Sequence, residues 1–492
     1  MIFLEGEKTM ATAKKINYKD YVDPAYLLKE SKNEDVNLRN HENWYELGKM
    51  GYKCVPVSGH DTIHFDPNVF SAYMCEAMIA VRDESDNIYL YNRKKGVYVK
   101  AKDWMLQILC KQLMNQIMNR WSLNYERLGV ESFRRDVNEI VSEFRSSRYI
   151  NLKNGILDID KNKLLKHTPK LRSMSQLNIK YQKDAKCPQF EKFIEDITGG
   201  DDELATVLQE IVGYCLCQST KAEKAFFFYG GGRNGKSVLS GVMERLAGKR
   251  NVSHVKLSEL NGNFGLHPML NKTLNIAAEN HFSGKFNPDR LKEIASGDSI
   301  NVNIKYQDAV SSAMYCKLVF MANTLPPVSD YSYGFFRKLM IVPFNVTIKE
   351  PDVDLRDKLK MELPGILNWA LVGLRRLKKN HYQFSHCEAI ESRTREYYEQ
   401  QNPTGQFFFE TYREDPNGKI VKSEIYSDYC VWAQNAGLDP ENRNAFWNML
   451  KKKAEEPDSK MKLVETKDSK NRYIKGYSRI YPKQGLTYTI GE

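Results

Sequence analysis

A chain of 492 residues has room for about three domains, each able to bury a core of its own. Hydrophobic residues at 41% and charged residues at 27% describe an ordinary soluble globular protein, and no apolar run approaches the ~20 residues of a membrane span. The formal net charge of +11 favours a polyanionic partner, nucleic acid before any other.

Met1 to Lys14 lacks the apolar core of a signal peptide, so a cytoplasmic location is expected. Nine cysteines, none in a Cys-x-x-Cys pair, argue for reduced thiols and against a zinc ribbon. Cys215 and Cys217 are the one close pair, and both are expected to be core thiols.

An α+β domain is expected over residues 1–187. Residues 1 to about 40 are polar and Lys-rich with weak periodicity. Ile88 to Lys100 alternates around Asn92-Arg93-Lys94-Lys95-Gly96 and predicts a β-hairpin. A helix is predicted from Asp103 to about Trp121, with Leu106, Leu109, Leu113 and Ile117 on one stripe. Another is predicted over Phe133 to Phe144. Ile150 to Asp160 reads as a turn leading into a strand. Asp158 and Asp160 share a strand face, as paired carboxylates of polymerase or primase metal sites do. No third acid or histidine joins them in sequence, and Lys161-Asn162-Lys163 reads as a turn, so a solvated turn is the expected role. Residues 161 to 187 form a poorly patterned basic connector ending at Cys187-Pro188.

Two helices, Phe190 to Ile197 and Glu203 to Leu216, lead into the stretch on which the chain's chemistry turns. Phe226 to Tyr229 reads as a buried parallel strand. It is followed by Gly230, Gly231, Gly232, Arg233, Asn234, Gly235, Lys236, Ser237 and Val238, in which Gly-x-x-x-x-Gly-Lys-Ser is a full phosphate-binding loop. Glycines let the backbone N–H groups converge on a phosphate, and the helix from Val238 to Leu246 adds the positive end of its dipole. Lys236 suits the β- and γ-phosphates of ATP, and the Ser237 hydroxyl suits Mg²⁺.

Downstream, Leu274 to Asn280 reads as a strand ending in an acid, placed beside the phosphate loop. Glu279 there is a candidate base on the attacking water and a candidate metal ligand, with Ala278 where Asp-Glu is common. Pro288 to Ser296 is a short helix, and Ile300 to Ile304 a strand that breaks at Lys305-Tyr306. Cys316 to Asn323 is a third buried strand, ending in a residue able to hydrogen-bond a water or the γ-phosphate. Arg337 and Lys338 precede a further strand, Leu339 to Phe344. An arginine there either forms a salt bridge or reaches a neighbouring subunit's nucleotide.

One helix is predicted from Asp354 to about Lys379, with Leu359, Leu363, Ile366, Leu367, Ala370 and Leu374 on a wide stripe. Residues 380 to 404 read as a polar linker closed by Asn402-Pro403. The remainder reads as helix (Lys419 to Ala436), helix (Asn444 to Lys453) and two short strands (Lys462 to Glu465, Arg472 to Tyr477), an order that suggests a winged helix. Its cations Lys451, Lys452, Lys453, Lys470, Arg472, Lys475 and Arg479 are interleaved with tyrosines, and Lys470, Arg472 and Lys475 are the candidate duplex DNA contacts.

Taken in order, several of these stretches resemble the superfamily 3 helicases, within them the phage, plasmid and poxvirus-type primase-helicase group. They are the phosphate loop, the strand ending in Glu279, Leu291-Lys292 with Gly297-Asp298, the hairpin with Lys305, Val319 to Asn323, and Arg337-Lys338 with Pro343-Phe344. Asn151 to Asp158, Tyr181 with Cys187-Pro188, and Glu362 to Leu371 are similar to the same group. The likeness covers roughly residues 150 to 380. It implies an α/β fold with an AAA+ P-loop ATPase core and parallel sheet at 188–350. A helical lid and linker would follow at 351–403, and a winged-helix domain at 404–492. By the same likeness Glu279 matches the Walker B acid, Asn323 the sensor, and Lys305 with Tyr306 the DNA-contacting hairpin of a ring channel. Arg337 or Lys338 matches the trans-acting finger, where many members have Arg-Arg.

The implied protein is a replicative DNA helicase of a phage, plasmid or other mobile element, using ATP and Mg²⁺ and working as a hexamer on DNA. Larger members also carry a primase domain. No zinc pattern or acidic triad is seen here, so a separate primase or polymerase partner is expected instead. Two rivals stand beside this reading. A DNA-packaging motor would need a nuclease-type acidic cluster after the ATPase. An origin-binding initiator would use ATP only to assemble.

Overall fold

The computed structural model describes residues 16–27, 41–57, 60–116, 120–141, 146–277, 286–328, 332–455, 459 and 461–480. The chain divides into two units, Met1–Tyr181 and Gln182–Glu492. In the first, helix α1 (His41–Lys49) precedes a hairpin of β1 (Tyr52–Val57) and β2 (His60–Phe65), then α2 (Pro67–Ala77). An antiparallel sheet follows, β3 (Ala80–Arg82), β4 (Ile88–Asn92) and β5 (Val97–Lys100), with β4 central. Strand β4 is buried along its whole length because both faces are covered. Ile88 and Leu90 join the main core of the unit, while Tyr89 and Tyr91 pack with Val81, Tyr98 and Val141.

Helix α3 (Asp103–Met114) is shorter than its periodicity predicts, and α4 (Leu123–Asp136) starts ten residues before the expected Phe133. The cause is a pair of polar side chains between them. Asn115 leaves the helix and accepts the Trp121 N–H, and Ser122 caps α4 by accepting the Tyr125 N–H. Helix α4 then ends at Asp136, where Val137 turns extended. Ile117 and residues 142–144 lie outside the described residues. Leu106, Leu109 and Leu113 are fully buried against Phe70, Met74 and Phe133.

The unit closes with an antiparallel sheet of β6 (Tyr149–Leu152), β7 (Gly155–Asp158) and β8 (Lys163–Leu165). Asp158 is buried in the β7–β8 turn instead of solvated. Arg148 Nη2 lies 2.7 Å from its Oδ2, and Oδ1 accepts the N–H groups of Asp160 and Lys161. These bonds, the arginine's first, hold the carboxyl below its ordinary range.

The second unit is built on a parallel sheet. Helices α5 (Pro188–Thr198) and α6 (Asp202–Tyr214) lead into β9 (Ala225–Tyr229), followed by α7 (Lys236–Ala247). Then come β10 (Val252–Ser253), β11 (Leu274–Ala277), α8 (Asp289–Ser296) and the hairpin β12 (Ser299–Ile304) with β13 (Gln307–Ala313). Strand β14 (Lys317–Ala322), the short α9 (Tyr333–Phe336) and β15 (Leu339–Pro343) complete this part. The strand order is β10-β11-β14-β9-β15, all parallel. Helix α6 ends before Cys215, and Cys215 and Cys217 are both buried.

The expected single helix over 354–379 is two, α10 (Leu355–Met361) and α11 (Leu363–Lys379). Pro364 lacks an N–H and sits in the first turn of α11, so the chain breaks at Glu362. The freed Glu362 carboxylate accepts the Gln189 and Phe190 N–H groups at the start of α5. The expected polar linker contains α12 (Glu388–Gln401), in which the buried positions are Ile390 and Tyr397. Two buried residues seven apart on an otherwise polar helix leave little periodic signal.

Beyond Asn402, which caps the next helix, come α13 (Pro403–Thr411), β16 (Tyr412–Val421), α14 (Lys422–Asn435), α15 (Arg443–Ala454), β17 (Val464–Lys467) and β18 (Arg472–Arg479). The strands form an antiparallel sheet in the order β16-β18-β17. The helix expected from Lys419 starts at Lys422, because 419–421 belong to β16, paired with 473–475 of β18. Phe407, Tyr429, Trp432, Phe446, Leu450 and Ile474 form the core of this part.

Candidate active site

Strand β9 is apolar because both neighbours and both faces bury it; its first four residues are inaccessible. Its C-terminal end meets Ala322 of β14 and Pro343 of β15 in register. The phosphate loop therefore emerges at the carboxyl edge of the sheet, between two strand ends, where a parallel α/β sheet opens its crevice. The ladder continues into the loop: Gly230 N–H donates to the Ala322 carbonyl, and Phe344 N–H to the Tyr229 carbonyl. Asn234 Nδ2 donates to the Gly231 and Phe344 carbonyls at 2.9 and 3.0 Å, which ties the loop to the end of β15.

Two glycines are dictated by space as well as by backbone. Gly230 has φ +150° and a Cβ there would meet the Phe344 carbonyl oxygen at 2.4 Å. Gly235 has φ +85° and a Cβ would meet Ile197 Cγ2 of α5 at 2.4 Å. The loop is thus wedged between α5 and β15 with its interior left open. A cavity of about 420 Å³ lies against it, lined by Phe193 and Asp196 of α5, Arg233 to Val238, and Ile348 and Glu350.

Lys236 is buried at the start of α7, and its ammonium donates to the carbonyls of Gly230 at 2.5 Å and Gly231 at 2.6 Å. Among the described residues no carboxylate pairs with it. Burial lowers its pKa below the ordinary lysine value. A buried cation resting on its own loop's carbonyls is one that a polyphosphate would satisfy better. Ser237, one residue on, is exposed at the helix N-terminus, so its hydroxyl is open to a metal ion.

The other expected residues fall in three places. Asn323 is exposed immediately after β14, level with Gly230, so it shares the crevice with the loop. Glu279 lies outside the described residues; β11, which ends two residues before it, runs parallel to β14. That strand is not beside the loop strand, as expected, because β14 lies between them. The intervening strand is buried along its whole length, so it shows no alternation by which sequence could order the two.

Arg337 and Lys338 stand at the opposite edge, where Leu339 pairs with Ala225. Their environments differ. Lys338 is buried, with its ammonium 2.7 Å from Glu223 Oε2 and 2.6 Å from Ser296 Oγ. Arg337 is exposed. Lys224, which sequence reasoning passed over, donates to the Arg337 carbonyl. Its pKa is lowered by burial first and then by the charges of Arg337 and Lys338.

Lys305 and Tyr306 form the two-residue tip between β12 and β13, where Ile304 pairs with Gln307. Ile300 and Val302 anchor the hairpin in the core. Tyr306 has φ +62° and is fully exposed, and the Lys305 ammonium is 5.6 Å from the Phe264 ring centroid. In the last sheet, Lys470, Arg472 and Lys475 are exposed on the β17–β18 hairpin. Arg479 is not available in the same way: it bonds Asp428 at 2.7 Å and Glu424 at 3.0 Å. The half-buried Lys453 lies over the Tyr398 ring.

Two family models match parts of the chain, each over less than half of it. One, described as a family of unknown function (DUF5906), matches residues 228–337. The other, described as D5 N terminal like, matches residues 82–199. The uncharacterized mitochondrial protein ymf21 of Marchantia polymorpha is 31% identical over 81 residues, which are 16% of this chain and 45% of that protein. The chain thus spans about half the length of this curated relative. The apo structure of the NrS-1 C terminal region (305-718) aligns with a TM-score of 0.50 and 12% identity, covering 84% of this chain and 99% of that one. The A form apo structure of the same region aligns at 0.49 and 12%, covering 84% and 100%. At 12% identity the likeness to the first of these is one of fold alone.

Proposed function

We propose that the protein is an ATP-dependent DNA helicase of superfamily 3 type, serving replication of a phage, plasmid or other mobile element. The observation that carries the reading is the buried, carboxylate-free ammonium of Lys236 on a phosphate loop at the carboxyl edge of the parallel sheet. The D5 N-terminal-like match supports a phage-type primase-helicase kinship. The strand order, with β14 inserted between β9 and β11, agrees with an AAA+ core.

In this reading Lys236 leaves the two carbonyls and binds the β- and γ-phosphates of ATP, while the loop N–H groups and the α7 N-terminus hold the phosphate chain. Ser237 and Glu279 would hold Mg²⁺, which neutralises phosphate charge when bound. Glu279 orients and deprotonates the attacking water, and Asn323 hydrogen-bonds it from the neighbouring strand end. Arg337 lies two residues before Leu339, which pairs with Ala225 at the end of β9 away from its own chain's loop. The five residues of β9 separate the two edges by about 16 Å at ~3.3 Å per residue. Its guanidinium, with Lys224 beside it, would act on the nucleotide of an adjacent subunit, as a ring, most simply a hexamer, allows.

Lys305 and Tyr306 would contact single-stranded DNA in the channel. The helix–strand–helix–helix–strand–strand order after Asn402 supports a winged helix that grips duplex DNA through Lys470, Arg472 and Lys475. The test is ATP turnover with and without single-stranded DNA, together with strand displacement on forks with opposite tails. Stimulated turnover with displacement supports a helicase. Turnover indifferent to DNA, with no displacement, would favour an initiator that uses ATP to assemble.

A further inference from the structure

Helix α15 buries Phe446, Trp447, Met449 and Leu450 against the C-terminal core. The opposite side presents Arg443, Asn444, Asn448, Lys451 and Lys452 to solvent. Asn444 and Asn448 are one turn apart and so share a face, which the lysines continue for another turn. No carboxylate occurs between Arg443 and Ala454. Asn442 uses its side chain to cap the helix at Ala445. The amides of Asn444 and Asn448, by contrast, bond no group among the described residues.

Four acids on the neighbouring elements are already engaged. Glu465 bonds Lys422 at 2.6 Å and lies 3.8 Å from Lys451. Asp468 accepts the Tyr473 hydroxyl and the N–H groups of Lys470 and Asn471, so its carboxyl is held down to about 2. Asp428 and Glu424 are taken by Arg479. Lys452, Lys467, Lys470, Arg472 and Lys475 are exposed, with no carboxylate at hydrogen-bond distance among the described residues. A surface that only attracts phosphates needs charge alone. Two unpaired amides in register near the start of an exposed helix, with cations at its end and on the adjoining hairpin, match a base-reading helix with flanking backbone contacts.

We propose that α15 reads base edges in the major groove of duplex DNA. Asn444 and Asn448 each offer a donor and an acceptor to N7 and the N6 amino group of an adenine, the pairing a side-chain amide makes best. Lys452 and the cations of the β17–β18 hairpin hold the neighbouring phosphates. This rests on the proposed DNA-binding role and adds sequence preference to it.

The experiment selects duplexes from a randomised pool on the full-length protein, then compares the selected site with its scrambled version by fluorescence anisotropy across salt. The expected result is an adenine-containing site preferred on the order of ten-fold or more. Asn444→Ala with Asn448→Ala, both on the surface, should bring the preference close to one and leave scrambled-duplex affinity and salt slope unchanged. Lys470→Ala with Arg472→Ala and Lys475→Ala should weaken both duplexes equally and flatten the log–log salt slope by about 2.7, at ~0.9 per phosphate contact. A pool without enrichment, or a double asparagine variant that keeps the preference, overturns the base-reading role. No duplex binding at any salt overturns the DNA-binding role together with it.

Discussion

Arg337→Ala and Lys338→Ala, made separately, should have opposite signatures. Lys338 has a side chain only 8% exposed and an ammonium 2.7 Å from a Glu223 carboxylate that is itself 47% exposed. Charged hydrogen bonds contribute about 1.5–3 kcal/mol, and the open side of Glu223 screens the pair toward the lower end. Loss of the buried stem adds to this, so Lys338→Ala should cost about 2 kcal/mol. In a unit of this size each kcal/mol moves Tm by about 2–4 °C, so a fall of roughly 4–8 °C is expected. Arg337 is exposed, and its removal should leave Tm within about 2 °C. ATP turnover should behave the other way. Arg337→Ala should lower it by about 10³-fold or more, the scale of an arginine finger. Mixing it with Lys236→Ala protein should restore part of the rate if the finger acts in trans. Calorimetry and a steady-state ATPase assay measure both properties. An Arg337→Ala protein with wild-type turnover, or a Lys338→Ala protein with unchanged Tm and no turnover, would refute the assignment.

Lys236→Met should abolish nucleotide binding, read by a fluorescent ATP analogue, because it removes the ammonium that rests on the loop's own carbonyls. With the folded pKa of Lys236 below its unfolded value, the unfolded state binds more protons between the two, so apo stability should rise with pH across that window. Nucleotide affinity should fall over the same window as the ammonium is lost, and the Met variant should show neither trend. Glu279→Gln should still bind ATP and hydrolyse it about 10²-fold or more slowly; unchanged single-turnover hydrolysis would remove its role as base. Lys305→Ala should keep DNA-independent turnover and assembly while losing strand displacement on forks, and normal displacement would return the hairpin tip to an ordinary surface loop.

What could be read in advance was local. Phe226 to Tyr229, the glycine loop and the helix after it form one short contiguous motif, so their order and chemistry are visible in sequence. The same holds for Ile88 to Lys100 and for the β12–β13 hairpin, where alternation and turn residues sit side by side. Helix ends were less legible. Asn115 and Ser122 end one helix and begin the next through single hydrogen bonds, and Pro364 divides what periodicity joined. Helix α12 hides because only Ile390 and Tyr397 along it are buried.

The tertiary structure alone decided which strands are neighbours and which charges are free. Parallel strands that are buried on both faces carry no local mark of sheet order, so placing β14 between β9 and β11 requires packing across nearly a hundred residues. Arg337 and Lys338 are adjacent and equally basic in sequence. Glu223 and Ser296, brought in from distant segments, neutralise and bury one of them and leave the other exposed. Asp428 and Glu424 remove Arg479 from the basic surface in the same way. A charge's availability depends on which opposite charge the fold brings within hydrogen-bond distance, and that partner is seldom close in sequence.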